Sequence, residues 1–381
     1  MINSLRLENF KCFESLNLDT APLTLLTGFN AAGKSTSLQT LLLLCQTLRA
    51  PRGVSDLRLN GPLVNLGSPG DVINWGRGGS EIGLGVASEV GSLFWRFTVG
   101  EDERRALRAC EVEVLNETGS FLISGPELEG IRPPGNSSDV LRHIENLIFL
   151  SAARQVESEV FPVPQETEDC TGDVGSIGQF AAWWFHQEAD TELPAARHRS
   201  TSDVPPTLRH QLNAWAEDLF PGAEINALPI PRTSLMRLEL RTSRTADWSR
   251  PANVGYGISY AFPILVAGLC ADFGRVLVID SPEAHLHPRG QSRIGDFLTH
   301  MAAAGSQILV ETHSDHVLNG VRLALREGVI DPQKVIIYFF TLREGPRVIR
   351  LSFDKNGSIN DWPEGCFDQS EKELASLAGW A

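Results

Sequence analysis

Gly28-Phe29-Asn30-Ala31-Ala32-Gly33-Lys34-Ser35-Thr36 fits the pattern G-x-x-x-x-G-K-[ST] at every fixed position. The pattern carries meaning only between a strand and a helix. Leu23 to Thr27 is a short apolar, strand-like run. From Ser35 to Arg49 the apolar residues Leu38, Leu41, Leu42, Cys45 and Leu48 recur at helical spacing. Glycines let the backbone curl until successive N–H groups face a phosphate. Lys34 would then reach the β- and γ-phosphates of a nucleotide, and the Ser35 hydroxyl would ligate Mg²⁺. A glycine-rich turn that binds nothing is the alternative, and the correct flanks weigh against it.

Downstream the signals sharpen again after Pro251. Asn253 to Tyr260 is a glycine-bearing turn, and an apolar helix is expected over Ala261–Cys270 with Pro263 in its first turn, where a missing N–H costs little. Arg275 to Asp280 is an apolar strand ending in an acid, followed by Pro282-Glu283-Ala284-His285-Leu286-His287 and a helix starting near Pro288. Gln307 to Glu311 is a second buried strand, leading into Thr312-His313-Ser314-Asp315, a helix over about 316–326 and a strand at Val335 to Phe340. Strands alternating with helices predict a doubly wound, largely parallel sheet. Ligands of such sheets sit at the carboxyl ends of the strands, where Gly28, Asp280 and His313 all fall.

The first half reads differently. Residues 2–8 alternate as a strand and lead, through Phe13 and Leu16 to Leu18, into an antiparallel pair. Residues 57–61, 82–86, 93–99 and 107–124 read as short strands joined by tight turns. A short helix over 139–147, a strand over 148–154 ending in Arg154, a loop over 157–178, helices over 179–190 and 206–219, and a strand over 235–240 follow.

Composition narrows the class. A chain of 381 residues, 42% hydrophobic and 21% charged, is long enough for one large or two ordinary domains with a proper core. No apolar run has the length of a membrane span, and Met1-Ile2-Asn3-Ser4-Leu5-Arg6 lacks the apolar stretch of a signal peptide. Six scattered cysteines without C-x-x-C fit reduced thiols and a cytoplasmic setting. A net charge of −14 makes a poor stand-alone binder of nucleic acid, although it leaves room for a local basic patch.

P-loop, glycine–serine turn, acid-ended strand and strand-end histidine together resemble the ABC-type ATPase head. They resemble more closely the bacterial stand-alone ATPases related to the overcoming-lysogenization-defect proteins and to the heads of structural-maintenance-of-chromosomes (SMC) proteins. Leu5 to Phe13, Asp280 to Pro288, Glu311 to Asp315 and Trp362 to Gln369 carry the likeness, which is thin from about 155 to 245. It implies an α/β P-loop NTPase fold of ABC-ATPase head type, with an antiparallel β subdomain and an inserted, partly helical subdomain. The divisions would be 1–154, an ATPase lobe with the P-loop and the β subdomain; 155–250, the insertion; 251–345, the signature helix, Walker B strand and switch histidine; and 346–381, a C-terminal extension.

The resemblance also assigns roles. ATP and Mg²⁺ would be the cofactors, held by Gly28, Asn30, Ala31, Ala32, Gly33, Lys34, Ser35 and Thr36, with Ser35 and Asp280 as metal ligands. His313 would be the switch histidine near the γ-phosphate, and His285 and His287 would lie in the loop along a dimer seam. Gly257 and Ser259 stand where such proteins carry the signature motif, so they would approach the γ-phosphate bound by a second copy. A homodimer through ATP follows, together with a separate nuclease- or toxin-like effector in antiviral defence or DNA maintenance. One position departs from the pattern: the residue after Asp280 is Ser281 rather than glutamate, and Glu283 is the nearest carboxylate to activate water. A non-hydrolysing, ATP-gated scaffold and a recombination-type DNA-binding loader therefore stay open. So do a metal pair at His285 and His287, a phosphate contact or surface ion pair for Arg154, and a core or base-stacking role for Trp183-Trp184. The glutamine of a Q-loop has no firm place: Gln46 lies within the first helix, and the turn at Leu66 to Ser68 matches by position alone.

Overall fold

A computed structural model gives the fold, and it describes residues 1–380 apart from 52, 75, 77–78, 101–105, 118, 125–127, 129, 134–137, 155–157, 166–170, 200–202, 343–344 and 360–361. Cys170 and parts of the expected 157–178 loop lie outside the described residues. The chain opens with β1 (Ile2–Phe10), β2 (Phe13–Asp19) and β3 (Leu23–Gly28), then α1 (Lys34–Leu48) and a single turn, α2 (Pro69–Val72). Next come β4 (Glu81–Ser88), β5 (Gly91–Val99), β6 (Leu107–Asn116), β7 (Gly119–Ser124), α3 (Ser138–Glu145) and β8 (Ile148–Leu150). The middle holds β9 (Val160–Pro162), α4 (Ala181–Gln187), α5 (Leu208–Leu219), β10 (Glu224–Pro229) and β11 (Leu235–Arg241). The last third runs α6 (Tyr256–Cys270), β12 (Val276–Asp280), α7 (Pro288–Ala303), β13 (Gln307–Glu311), α8 (Asp315–Arg326), β14 (Val335–Thr341), β15 (Arg347–Leu351) and α9 (Gln369–Leu377).

One sheet is central, in the order β15-β14-β3-β13-β12-β8. All its neighbours pair in parallel except the edge strand β15, which runs antiparallel to β14. Both faces are covered, which is why its strands read as unbroken apolar runs. Alternate residues go to opposite cores. Leu23, Leu25, Ile308, Val310, Leu277 and Ile279 face one core with α5, α6 and α7. Leu26, Leu309, Val276, Val278 and Phe340 face the other, shared with α1 and with the antiparallel sheet β2-β1-β4-β5-β6-β7.

The described residues of 155–250 share a core with the last third of the chain. The small sheet β10-β11-β9 and the helices α4 and α5 bury Phe161, Trp184, Phe185, Leu212, Trp215, Ile225 and Leu238 in the same core as α6 and α7. Trp184 is buried and donates its indole N–H to the Asp173 carbonyl at 2.9 Å, while Trp183 packs edge-on against it. The pair is therefore core, as one of the two sequence readings had it. The proposed boundary at 345 falls between β14 and β15, which are paired strands of one sheet.

Several local expectations differ from the structure. Residues 57–61 form no strand; the segment crosses the fold through isolated bridges, Asp56 to Arg108 and Asn60 to Asn65. The expected strand over 148–154 ends at Leu150. Helix α6 begins at Tyr256 rather than Ala261, so Pro263 lies inside it instead of in its first turn. Gly255, at φ +93°, lets the chain turn into the helix early. Inside a helix the proline ring withholds the N–H that the Ser259 carbonyl would otherwise receive.

Helices α7 and α8 approach closely at two glycines. A Cβ on Gly295 would run into the Val317 carbonyl, and one on Gly320 into the Ser292 carbonyl.

Candidate nucleotide site

The parallel register brings three strand ends level. Asp280 of β12 pairs with Glu311 of β13, and Glu311 pairs with Leu26 of β3, two residues before Gly28. The Ser281 N–H donates to the Glu311 carbonyl (2.8 Å) and the Thr312 N–H to the Leu26 carbonyl (3.0 Å). The acids and the phosphate-loop sequence are thus held by backbone bonds.

The loop itself is built around two glycines. Gly28 has φ +127°, and a Cβ there would meet the Phe340 backbone of β14. Gly33, at φ +103°, precedes α1 and abuts the Phe13 ring and the Cys12 thiol. Asn30 and Ala31 form the exposed tip, with Ala31 at φ +59°, while Ala32 is buried beneath. The start of α1 points its first N–H groups, which lack intrahelical partners, into the loop. Thr36 is buried and hydrogen-bonds the Cys12 thiol. Phe29 stacks edge-on with Phe339, and the Gly365 backbone lies close to its ring.

Lys34 is 4% exposed and donates from Nζ to the Phe29 carbonyl (2.7 Å) and the Gly28 carbonyl (3.1 Å). Burial lowers its pKa, while the charges of Glu311 and Asp280 act the other way. The Ser35 hydroxyl donates to Glu311 Oε1 at 2.9 Å. The Ser281 hydroxyl donates to Asp280 Oδ1 at 2.8 Å, and Ser281 itself sits at φ +50°. Glu283 is half-buried, with both carboxylate oxygens engaged: Oε2 accepts from the Thr312 hydroxyl and Oε1 from the His313 N–H, each at 2.8 Å. His313 lies close enough to feel Lys34, Glu283 and Asp280, and burial is the main cause of its lowered pKa. Lys34, Ser35, Asp280, Glu283 and His313 are thus brought together.

The signature positions are placed differently. Gly257 lies in the first turn of α6, closely packed against the Phe220 ring and the His285 carbonyl. Ser259 is buried, its hydroxyl lacking a partner among the described residues. Ser259, expected to approach the γ-phosphate of a second copy, thus lies within α6 with its side chain covered in the single chain. Asn253, Gly255 and Tyr256 are exposed there instead. His285 stacks on Tyr260 (4.4 Å between ring centres), and His287 accepts the Arg289 N–H at the start of α7. Gln46 holds the 58–64 segment through the Arg58, Leu63 and Val64 backbone, and Ser68 caps α2; both are structural.

Two residues of the site were not assigned from the sequence. Arg154, left between a phosphate contact and a surface ion pair, is buried and donates to the Ser151, Asp280 and Ser281 carbonyls at 3.0, 2.9 and 2.6 Å. It stiffens the turn after Asp280, and burial brings its pKa down to about 10. The other is Glu311, 6% exposed. Burial and the neighbouring Asp280 push its pKa up from 4.5 to about 7, against the pull of Ser35 and Lys34. The signal that picked out Asp280, an acid closing a buried apolar strand, applied equally to Glu311.

That shift predicts a pH dependence. Between about pH 4.5 and 7 the folded chain holds a proton on Glu311 that the unfolded chain has released, so stability from this group falls as pH rises through that window. Glu311→Gln cannot ionise and lacks this component. Denaturant unfolding of both proteins should show the variant gaining on the wild type from about pH 5 to about pH 8. A pH-independent difference would contradict the burial of an ionisable Glu311.

The fold and the assembled strand ends are those of a P-loop NTPase head. Residues 128–319, half of the chain, match the family described as "AAA domain, putative AbiEii toxin, Type IV TA system", and the chain belongs to that family. The matched span includes Asp280, Glu311 and His313 but not the P-loop. Residues 330–377 match a second family, described only as a protein of unknown function, DUF3696. A stretch of 70 residues is 40% identical to the energy-coupling factor transporter ATP-binding protein EcfA2 of Mycoplasmopsis synoviae (strain 53), covering 18% of this chain and 22% of that protein. The chain thus spans about a fifth of the length of the curated relative it matches. Among solved structures, an SMC head bound to the C-winged helix domain of ScpA is similar at a TM-score of 0.55 and 16% identity, over 93% of this chain and 98% of that one. An SMC head with an extended coiled coil, bound to the C-terminal domain of ScpA derived from Pyrococcus furiosus, is similar at 0.50 and 13%, over 99% of both chains. Among the described residues no helix is long and apolar enough to cross a membrane.

Proposed function

We propose that the chain binds ATP with Mg²⁺ at the joined ends of β3, β12 and β13, hydrolyses it, and pairs with a second copy across the nucleotide. The observation that carries this reading is the convergence of Lys34, Ser35, Asp280 and Glu311 under a loop of phosphate-binding sequence. The residues fit the ion. Among the described residues no three acids, histidines or cysteines are arranged to hold a metal by themselves. Mg²⁺ is commonly held by one or two carboxylates together with substrate phosphates. Ser35 and Asp280 would hold it, and it would neutralise charge on the transferring phosphoryl group.

The chain's own groups do the rest. Backbone N–H groups from Gly33 to Thr36 cradle phosphate oxygens, and Lys34 exchanges its two carbonyls for them. Glu283 is the carboxylate placed to take a proton from water. It also holds the His313 backbone in place, so the histidine that faces the γ-phosphate and the base share one anchor. Arg154 keeps Asp280 and Ser281 from drifting.

Pairing would use the N-terminus of α6, where Gly255 and Gly257 leave backbone N–H groups open to an anion from the second copy. Mass measured by light scattering should double with a slowly hydrolysed ATP analogue. Tyr256→Glu, which suits a helix start but repels phosphate, should prevent the doubling; an unchanged mass in the wild type would overturn the pairing. The wider role, control of a nuclease- or toxin-like effector in a bacterial cytoplasm during antiviral defence or DNA maintenance, rests on the family likeness. A non-hydrolysing, ATP-gated scaffold is the second reading. It is favoured by Ser281, which stands where a glutamate is usual and spends its hydroxyl on Asp280. Phosphate release separates the two.

A further inference from the structure

We propose that Glu311 is a positioning residue for the metal of this site: it fixes the Ser35 hydroxyl so that the oxygen lone pairs face the ion, and it adds a second negative group beside Asp280. The proposal rests on the ATP-binding reading above. A hydroxyl has one hydrogen and two lone pairs. The Ser35 hydrogen goes to Glu311 Oε1 at 2.9 Å, which leaves both lone pairs free for a cation. Without that acceptor the hydroxyl could rotate its hydrogen toward the ion.

The position is otherwise hard to account for. A carboxylate buried beside another acid is costly, and Glu311 closes a strand in register with Asp280 while only 6% exposed. Lys34 offsets part of the repulsion. Once Lys34 turns to the phosphates, a divalent cation is the counter-charge that remains. Groups that orient a metal ligand typically change metal affinity by about 10–100-fold when removed.

The test uses Mn²⁺ as the probe, followed by electron paramagnetic resonance, with a slowly hydrolysed ATP analogue on the full chain. Glu311→Leu, which removes the acceptor, should bind the analogue without divalent ion as the wild type does, yet hold Mn²⁺ in the ternary complex about tenfold or more weakly. Ser35→Ala should show a similar loss, and the double variant should add little to either, because the two residues act as one unit. Wild-type Mn²⁺ affinity in Glu311→Leu, or full additivity in the cycle, would overturn the positioning role while leaving ATP binding intact. A wild-type chain that binds no analogue with or without metal would overturn both readings. Circular dichroism establishes that each variant is folded.

Discussion

Lys34→Ala is expected to lose ATP binding while keeping its fold. Among the described residues the ammonium donates to the Gly28 and Phe29 carbonyls. Burial is the main cause of its lowered pKa, so the charge opposes folding rather than supporting it. Removing it should leave the unfolding temperature unchanged or slightly raised. Binding is another matter. Truncating one partner of a buried, hydrogen-bonded charge pair costs about 2–5 kcal/mol, which is a loss of roughly 30-fold or more in affinity. Isothermal titration with a slowly hydrolysed analogue measures it, and wild-type affinity in a folded variant would remove Lys34 from the site.

Glu283→Gln should bind ATP and fail to turn it over. A general base contributes about 10²–10⁴-fold to rate, and the loss should fall in that range. The amide can still accept the Thr312 hydroxyl or the His313 N–H through its oxygen, so the switch loop should keep its place. Ser281→Ala is the comparison. It removes only a hydrogen bond to Asp280, a contribution of about 0.5–1.5 kcal/mol or somewhat more for an ionised acceptor, and should cost far less in rate. If Ser281→Ala proves the more damaging change, catalysis runs through the residue after Asp280 and Glu283 is only an anchor.

Much of this site was legible because buried parallel strands leave a plain trace. Leu23 to Thr27, Val276 to Asp280 and Gln307 to Glu311 are short apolar runs ending in the residue that matters, and each became a strand. Other parts had no such trace. Strand β9 is three residues long and pairs only with β11, so nothing local marks it. Strand β10 was passed over although Ile225 and Ala227 alternate inward. At α6 the proline signals a beginning near Ala261, whereas Gly255 supplies the turn and the helix starts five residues earlier, at Tyr256. For Arg154 the sequence shows a basic residue after a strand. Whether it meets water or three carbonyls depends on β12, more than a hundred residues away.

The close packing of α7 on α8 bears on how the site can move. Helix α7 follows the loop that carries Ser281, Glu283 and His285, and α8 follows the loop that carries Thr312 and His313. Carbonyl groups of each helix fill the space where a side chain on Gly295 or Gly320 would stand. Neither helix can slide or roll against the other without a backbone collision, so the two move together, with the loops of Glu283 and His313 at their end. A displacement at the outer ends of α7 and α8 would therefore reach the loops of Glu283 and His313 together.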